Sequence, residues 1–555
     1  MLLVRSKEGL EFFTLQADQE TGFKVASVFK DTEASALKPF KVSKKGNFFV
    51  SCDSEGLSLW AAKDGSLFSR CLGIPAKGCQ DFSLSPCGAF LATYQRWENE
   101  GKANLLVWAL DLAQDKAHCC LLLSHKNANT WTPQWCLQDN AMFIGKLVSN
   151  ELNLYKLCAE SECSVNDSPH PSPTLRLIVD GMHSVAINPS GNLLAVFSKE
   201  VKARPASVRI YPLPSTAGTF NPVPLAQKLF FKHADRCTLT WSPTGKHLLA
   251  LVCQDVDASG KSYYGESSLI FLSSDGSFDC RVELEAPSAA SAPPIHDVRW
   301  CPDGSGYIVI YGFMPNTVST LYDLKCRSVF SFPCGAKNTI RMHSSGRVLF
   351  GGFGNLPGHV EAWRLNLGKE ATSVNKISSW QAANSTICEW LSSDLVLTAT
   401  LTPRLRVDNG FKLWHTKSAT LLHDHPYSEL YQVEYLAGYG DQLDLDASHV
   451  MLKAALTDAT KSTVPAKQGA YVPPALRKAN NTSTAPLPNA IHASPQEVKV
   501  RRLQDKLADV AKLKARIASG EKLENDAVAK VAKEAEFTRQ LDEAMRALSI
   551  SRMKK

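Results

Sequence analysis

The stretch Val298-Arg-Trp-Cys-Pro-Asp-Gly-Ser-Gly-Tyr-Ile-Val-Ile-Tyr-Gly312 leaves few choices of fold. An alternating strand ends at Trp300, a Pro-Asp-Gly turn reverses the chain, and a second apolar strand returns. A third strand, Ser319-Thr-Leu-Tyr-Asp-Leu324, follows with an aromatic residue before Asp. One such unit has a single half-buried sheet and no core of its own. It makes physical sense only where it repeats.

It does repeat. Aligning the last residue of each first strand on Trp300 gives Val42, Leu84, Trp135, Ile187, Trp241, Trp300, Met342, Trp390 and Tyr435, at intervals of 42 to 59 residues. The turns read Ser85-Pro-Cys-Gly88, Asn188-Pro-Ser-Gly191, Ser242-Pro-Thr-Gly245, Cys301-Pro-Asp-Gly304 and His343-Ser-Ser-Gly346, with degenerate ones after Trp135, Trp390 and Tyr435. Third strands recur as Leu57-Ser-Leu-Trp60, Leu105-Leu-Val-Trp108, Leu152-Asn-Leu-Tyr155, Val208-Arg-Ile-Tyr211, Val360-Glu-Ala-Trp363 and Phe411-Lys-Leu-Trp414. This is the blade pattern of an all-β, WD-type β-propeller. Nine first strands imply nine blades, or eight if one degenerate unit is a loop. The N-terminus starts out of phase, with Leu2–Arg5, Leu10–Leu15 and Lys24–Phe29 as second, third and fourth strands lacking a first. Tyr431-Gln-Val-Glu-Tyr435 is a first strand with nothing to follow it. Pairing the two ends closes the ring and removes two sheet edges.

The propeller is expected over residues 1–440. From 441 to 495 the chain becomes rich in Pro, Ala, Ser and Thr, a composition that buries too little to order itself. Within it Ala470-Tyr-Val-Pro-Pro-Ala-Leu-Arg-Lys478 reads either as a short docking motif (Tyr471, Pro473, Pro474, Leu476, Arg477) or as a linker that happens to hold a tyrosine. A helical hairpin is expected over 496–550. Ser494-Pro-Gln-Glu497 is a capping box, and Leu503, Leu507, Val510, Leu513 and Ile517 form one apolar helix face. Gly520 ends that helix, and Glu521, Glu524 and Asp526 open the next.

Charge is unevenly placed. Of the net +7, residues 496–555 carry +5, with 15 Lys/Arg against 10 Asp/Glu. Lys499, Arg501, Arg502, Lys506, Lys512, Lys514 and Arg516 crowd the first terminal helix and are candidates for RNA or ribosome contact; a solvated coiled-coil face is the plainer alternative. No apolar run is long enough to span a bilayer, and the sixteen cysteines contain no Cys-x-x-Cys, which fits reduced thiols and a cytosolic protein. No phosphate-binding loop or nucleophile elbow is present, so neither a nucleotide cofactor nor an enzyme is expected. Gly351-Gly-Phe-Gly-Asn-Leu-Pro-Gly358 reads as a tight hairpin. His423-Asp-His425 reads as a solvated loop rather than a metal site.

Loops between second and third strands of successive blades lie on one face. Four of them are unusual: one with Lys261, Tyr263 and Tyr264; Tyr311-Gly-Phe-Met-Pro315 with Phe313; Gly352-Phe-Gly-Asn-Leu-Pro357; and Pro403-Arg-Leu-Arg-Val-Asp-Asn-Gly410 with Arg404 and Arg406. Arginine beside aromatics suits phosphates and bases; the alternative is that these are turns and packing. The same runs, with Ser262-Tyr-Tyr-Gly-Glu266 and the 470–477 motif, resemble the eukaryotic translation initiation factor 2A family over essentially the whole chain. The resemblance implies a nine-bladed propeller that helps bring initiator methionyl-tRNA to the small (40S) ribosomal subunit, codon-dependently and without its own GTP. It also implies contacts with mRNA and other initiation factors. One departure is that residues 479–495 hold no Lys or Arg where family members carry a lysine-rich stretch. The competing reading is a scaffold propeller, similar to the b subunit of initiation factor 3, that touches only proteins.

Overall fold

The computed structural model describes residues 1–436 apart from the connections 17–23, 32–38, 53–55, 62–68, 129–130, 149, 161–162, 164–169, 201–204, 231–233, 255–265, 285–292 and 368–371. Beyond 436 it describes residues 510, 514 and 538–540. The chain divides into two compact units, Met1–Pro473 and Pro474–Lys555. In the second, the five described residues are helical, Val510 is buried and Lys514 exposed. The linker, its 470–478 motif and the rest of the expected hairpin lie outside the described residues.

The described residues of the first unit form nine sheets, antiparallel but for one added strand, the nine blades of a propeller. We number them from the first complete one. The first strands of blades 1 to 8 are Lys41–Val42, Cys79–Leu84, Gln134–Gln138, Met182–Ile187, Arg236–Trp241, Ile295–Trp300, Thr339–Met342 and Ile387–Trp390. Eight of the nine aligned residues, Tyr435 of blade 9 included, end their strands. Trp135 is the exception. Its strand runs on to Gln138 and reverses through Asp139 and Asn140, both at positive φ, because a two-residue turn replaces the longer Pro/Gly turn of its neighbours. In the five regular turns the final glycine takes φ between 69° and 78°, where a Cβ would be strained.

Second strands carry apolar residues without alternation because blades cover both faces of the sheet. Gly306–Tyr311 and Leu395–Thr400 are buried at every residue, whereas the outer strand Ser328–Gly335 is largely exposed. The first-strand tryptophans lock neighbouring blades together. Trp241 Nε1 donates to Ala186 O at 2.9 Å, Trp300 Nε1 to Thr240 O at 3.1 Å and Trp390 Nε1 to Arg341 O at 3.0 Å. Trp135 Nε1 makes the equivalent bond to Ser83 Oγ at 2.9 Å. Each bond reaches the residue before the aligned position of another blade's first strand. One addition has no counterpart in the repeat: Gly218–Phe220, between the third and fourth strands of blade 4, pairs in parallel with Leu175–Ile178 and gives blade 3 a fifth strand.

Blade 9 is built from both ends of the ring. Leu2–Ser6 pairs antiparallel with Leu430–Tyr435, in the register Leu2 with Tyr435 and Val4 with Val433. Successive residues face opposite sides of a strand. Phe13 therefore packs on Phe411 of blade 8, at 5.3 Å between centroids, while Phe12 packs on Phe49 of blade 1 at 5.7 Å. Each such buried side chain contributes roughly 1.5–3 kcal/mol, more than the ~0.5–1.5 kcal/mol net of one ladder hydrogen bond. Apolar seams thus supply most of the closing energy, and the ladder sets the register. The Gln432 side chain adds a two-way bond to the backbone of Phe40, accepting at 3.1 Å and donating at 2.8 Å. His423 and His425 are not in a solvated loop. They lie on the strand Thr420–Pro426, and His425 stacks on Phe411 at this seam, 5.4 Å between centroids.

Removing residues 1–29, or ending the chain before Leu430, is expected to produce a protein that aggregates or melts well below the full chain. Cutting after Ser462 should leave the melt unchanged. Scanning calorimetry checks both; an unaltered melt in the first pair would refute closure by strand pairing.

Candidate functional site

Three of the loops singled out in the sequence meet. The connections 312–316 of blade 6, 352–358 of blade 7 and 401–409 of blade 8 all join second to third strands on one face of the ring. Between them lies an open cleft of about 350 Å³ lined by His296, Met314, Asn338, Phe353, Gly354, Asn355, Leu356, Arg404 and Leu405.

Local chemistry holds each wall. Asn338, at the start of blade 7, grips Phe353 by both backbone groups: Nδ2 donates to Phe353 O at 2.9 Å and Oδ1 accepts from Phe353 N at 3.0 Å. Gly352 permits the close fit, since a Cβ there would stand 2.0 Å from Ala336 O. His296 Nε2 donates to Gly312 O at 2.7 Å and steadies the blade 6 loop. In blade 8, buried Asn409 donates to Leu405 O at 2.8 Å and accepts from Leu430 N at 3.3 Å, tying the arginine loop to the closing strand.

Next to Asn338, Lys337 is buried, yet its ammonium lies 2.7 Å from Glu361 Oε2 and donates to Pro333 O at 2.9 Å. Lys376 reaches the other oxygen, Oε1, at 3.0 Å, and Trp363 Nε1 donates to Oε2 at 3.2 Å. Burial alone would raise the Glu361 carboxyl, but the bonds from Lys337 and Lys376, with the Lys337 charge, hold it at about 2. Thr317 Oγ1 accepts from Lys337 N at 3.1 Å and donates to Gly335 O at 2.6 Å. This network fixes the connection that presents Asn338.

Of the predicted residues, Arg404 lines the cleft. Its guanidinium lies against Gly354, where a Cβ would come within 3.4 Å of Nη2. Arg406 does not join it. It is exposed and faces Glu429, whose carboxyl is held low by hydrogen bonds from Tyr431 and Lys7, with a smaller pull from Arg406. Phe313 is exposed, and its neighbour Met314 lines the cleft in its place. Lys261, Tyr263 and Tyr264 lie outside the described residues, as do Tyr471, Pro473, Pro474, Leu476, Arg477, Lys499, Arg501, Arg502, Lys506, Lys512 and Arg516. His296, Asn338 and the Lys337–Glu361 pair were not legible beforehand; they belong to no motif, and their role depends on partners distant in sequence.

Loops of three neighbouring blades of the nine-bladed ring thus assemble one open cleft. The comparisons give the process it serves. The family profile described as eukaryotic translation initiation factor eIF2A matches residues 228–433, which include every residue lining the cleft. Eukaryotic translation initiation factor 2A of Schizosaccharomyces pombe is 33% identical over 433 residues, spanning 74% of this chain and 68% of the relative. The Caenorhabditis elegans factor of the same name is 27% identical over 97% of this chain and 98% of its own length. A crystal structure of a eukaryotic initiation factor superposes with a TM-score of 0.62 at 28% identity, covering 78% of this chain and 98% of that one. The chain is a β-propeller translation initiation factor. It belongs to the eukaryotic translation initiation factor 2A family.

Glu361→Gln is expected to destabilise the propeller by about 3–5 kcal/mol, because it leaves the Lys337 ammonium buried without its counter-ion. Urea unfolding checks this. The depressed carboxyl also fixes a pH dependence. Its contribution is fully present above the unfolded value near 4.3 and is lost as the pH falls toward 2, about 3 kcal/mol in all. The Gln variant should lack that part of the acid sensitivity.

Proposed function

We propose that the chain helps deliver initiator methionyl-tRNA to the small ribosomal subunit, directed by the start codon and without GTP of its own. It acts as a binding factor rather than an enzyme, in the cytosol, together with mRNA and other initiation factors. Family membership is the observation that carries this reading. The cleft supports it, because among the described residues that line it Arg404 carries a fixed positive charge and none is a carboxylate. Among the described residues no helix is long and apolar enough to cross a membrane.

The reading is tested by retention of labelled initiator tRNA on purified small subunits, with an AUG-containing message and no GTP. Stable, codon-dependent retention that requires the protein is expected. Subunit binding with no tRNA retention would favour the protein-only scaffold. In calorimetry neither GTP nor ATP should bind at micromolar concentration, so any GTP dependence traces to a partner.

The basic run of the terminal segment is assigned the main electrostatic contact. Each neutralised phosphate contributes roughly 0.7–0.9 to the slope of log affinity against log salt. Reversing Arg501, Arg502, Lys512 and Lys514 to Glu should weaken subunit binding and flatten its salt dependence, while the propeller melt stays unchanged. Survival of both affinity and slope would move the contact to the propeller.

A further inference from the structure

We propose that the cleft across blades 6, 7 and 8 is a subsite for one unstacked nucleotide of single-stranded RNA, its base on the apolar floor and its phosphate on Arg404. This deepens the proposed function and rests on it for the presence of RNA.

Size comes first. About 350 Å³ is at the lower end of the range of ligand pockets, roughly 300–1,000 Å³. A single nucleotide fits such a space; a duplex or a folded protein element does not enter it. The floor is Met314, Phe353, Leu356 and Leu405, an apolar and polarisable surface of the kind that meets the face of any base. The walls are set beforehand. The Asn338 grip on Phe353, the Asn409 bonds and the Lys337–Glu361 pair hold the loops in place, so binding orders little that was loose.

Charge gives the polarity of the ligand. Arg404 is exposed at the rim, and no salt bridge or side-chain hydrogen bond joins it to any described residue. Its planar fork matches two oxygens of one phosphate. A peptide carboxylate would satisfy the same fork, but one main route of peptide recognition, adding a strand, needs an open sheet edge. The lining loops connect second to third strands, which are internal to their sheets and already paired on both sides. Strand addition by a peptide is therefore unavailable here, whereas a base needs only a face and a phosphate anchor.

The experiment uses the full chain and a short single-stranded RNA carrying one 2-aminopurine, read by anisotropy and by the fluorescence of that base. The wild-type protein should bind and change the base fluorescence, and a duplex of the same sequence should compete poorly. Arg404→Glu should weaken binding at least ~10-fold and lower the salt slope by about 0.7, the share of one single-strand phosphate contact. Arg404→Lys should keep the slope and lose part of the affinity. Leu356→Trp, which fills the floor, should abolish the fluorescence change and leave the slope intact. Melting of each variant guards against a folding defect. If Arg404→Glu and Leu356→Trp, both folded, bind the probe as the wild type does, the cleft is not the subsite, while tRNA retention on subunits can still stand on another surface. Loss of that retention in the wild type overturns the proposed function itself. If Arg404→Glu loses an acidic, apolar peptide but no oligonucleotide, the cleft is a protein-docking site and the proposal fails.

Discussion

Everything in the ring depends on one non-covalent pairing, between Leu2–Ser6 and Leu430–Tyr435. A repeated sheet buries its two faces against neighbours, so a row of blades always ends in two bare sheet faces and two unpaired edges. Here the terminal blade is divided between the ends of the ring, and each half is incomplete without the other. The apolar alternation of Leu2, Leu3 and Val4, and of Phe12 and Phe13, sends side chains both to blade 8 and to blade 1. That alternation makes the join a continuation of the ring rather than a patch over a gap. The arginine loop is tied to the same join through Asn409 and Leu430, so the cleft wall on blade 8 is only as firm as closure itself.

Around the rest of the ring, neighbouring blades are held by a mixture of oil and hooks. The continuous apolar second strands give cohesion with little direction. The first-strand tryptophans give direction, since an indole N–H bond to an acceptor on the adjoining blade weakens steeply as its angle departs from linear. The Gly218–Phe220 strand spans two blades in a third way, taking part of blade 4 into the sheet of blade 3. Charged groups enter this apolar stack where a shape has to be specified, as at Lys337 and Glu361.

Much of this was legible in the residues. The aromatic and Pro/Gly periods located nine first strands, and the phase shift at Met1 showed how the ring joins. Those signals are local, repeated and set by backbone geometry. Trp135 was placed inside the right strand, but the turn after it was not read, because Asp139 and Asn140 lie outside the Pro/Gly pattern. Gly218–Phe220 has three residues and no period to detect. At the site, loop composition singled out Arg404, yet it could not separate it from Arg406, two residues away, because Glu429 comes from another connection. Asn338 and Lys337 sit in a segment with no motif at all. Their importance comes from contacts with Phe353, Glu361 and Thr317, which are distant in sequence and meet only once blades 6 and 7 have folded.

The divided blade also sets a clock. Leu2–Ser6 leaves the ribosome well before its partner strand, which follows more than four hundred residues later. At ~5–20 residues per second of synthesis, the N-terminal three strands wait roughly 20 to 80 s for the fourth. During that interval Leu2, Leu3, Val4, Phe12 and Phe13, all buried in the finished ring, have no permanent cover. Blade 1 can shelter one side early; the other side stays open until blade 8 has folded. A nascent chain of this design therefore has a long spell as a sticky, open-ended arc, and its yield in a cell depends on what shields that arc until the last strand arrives.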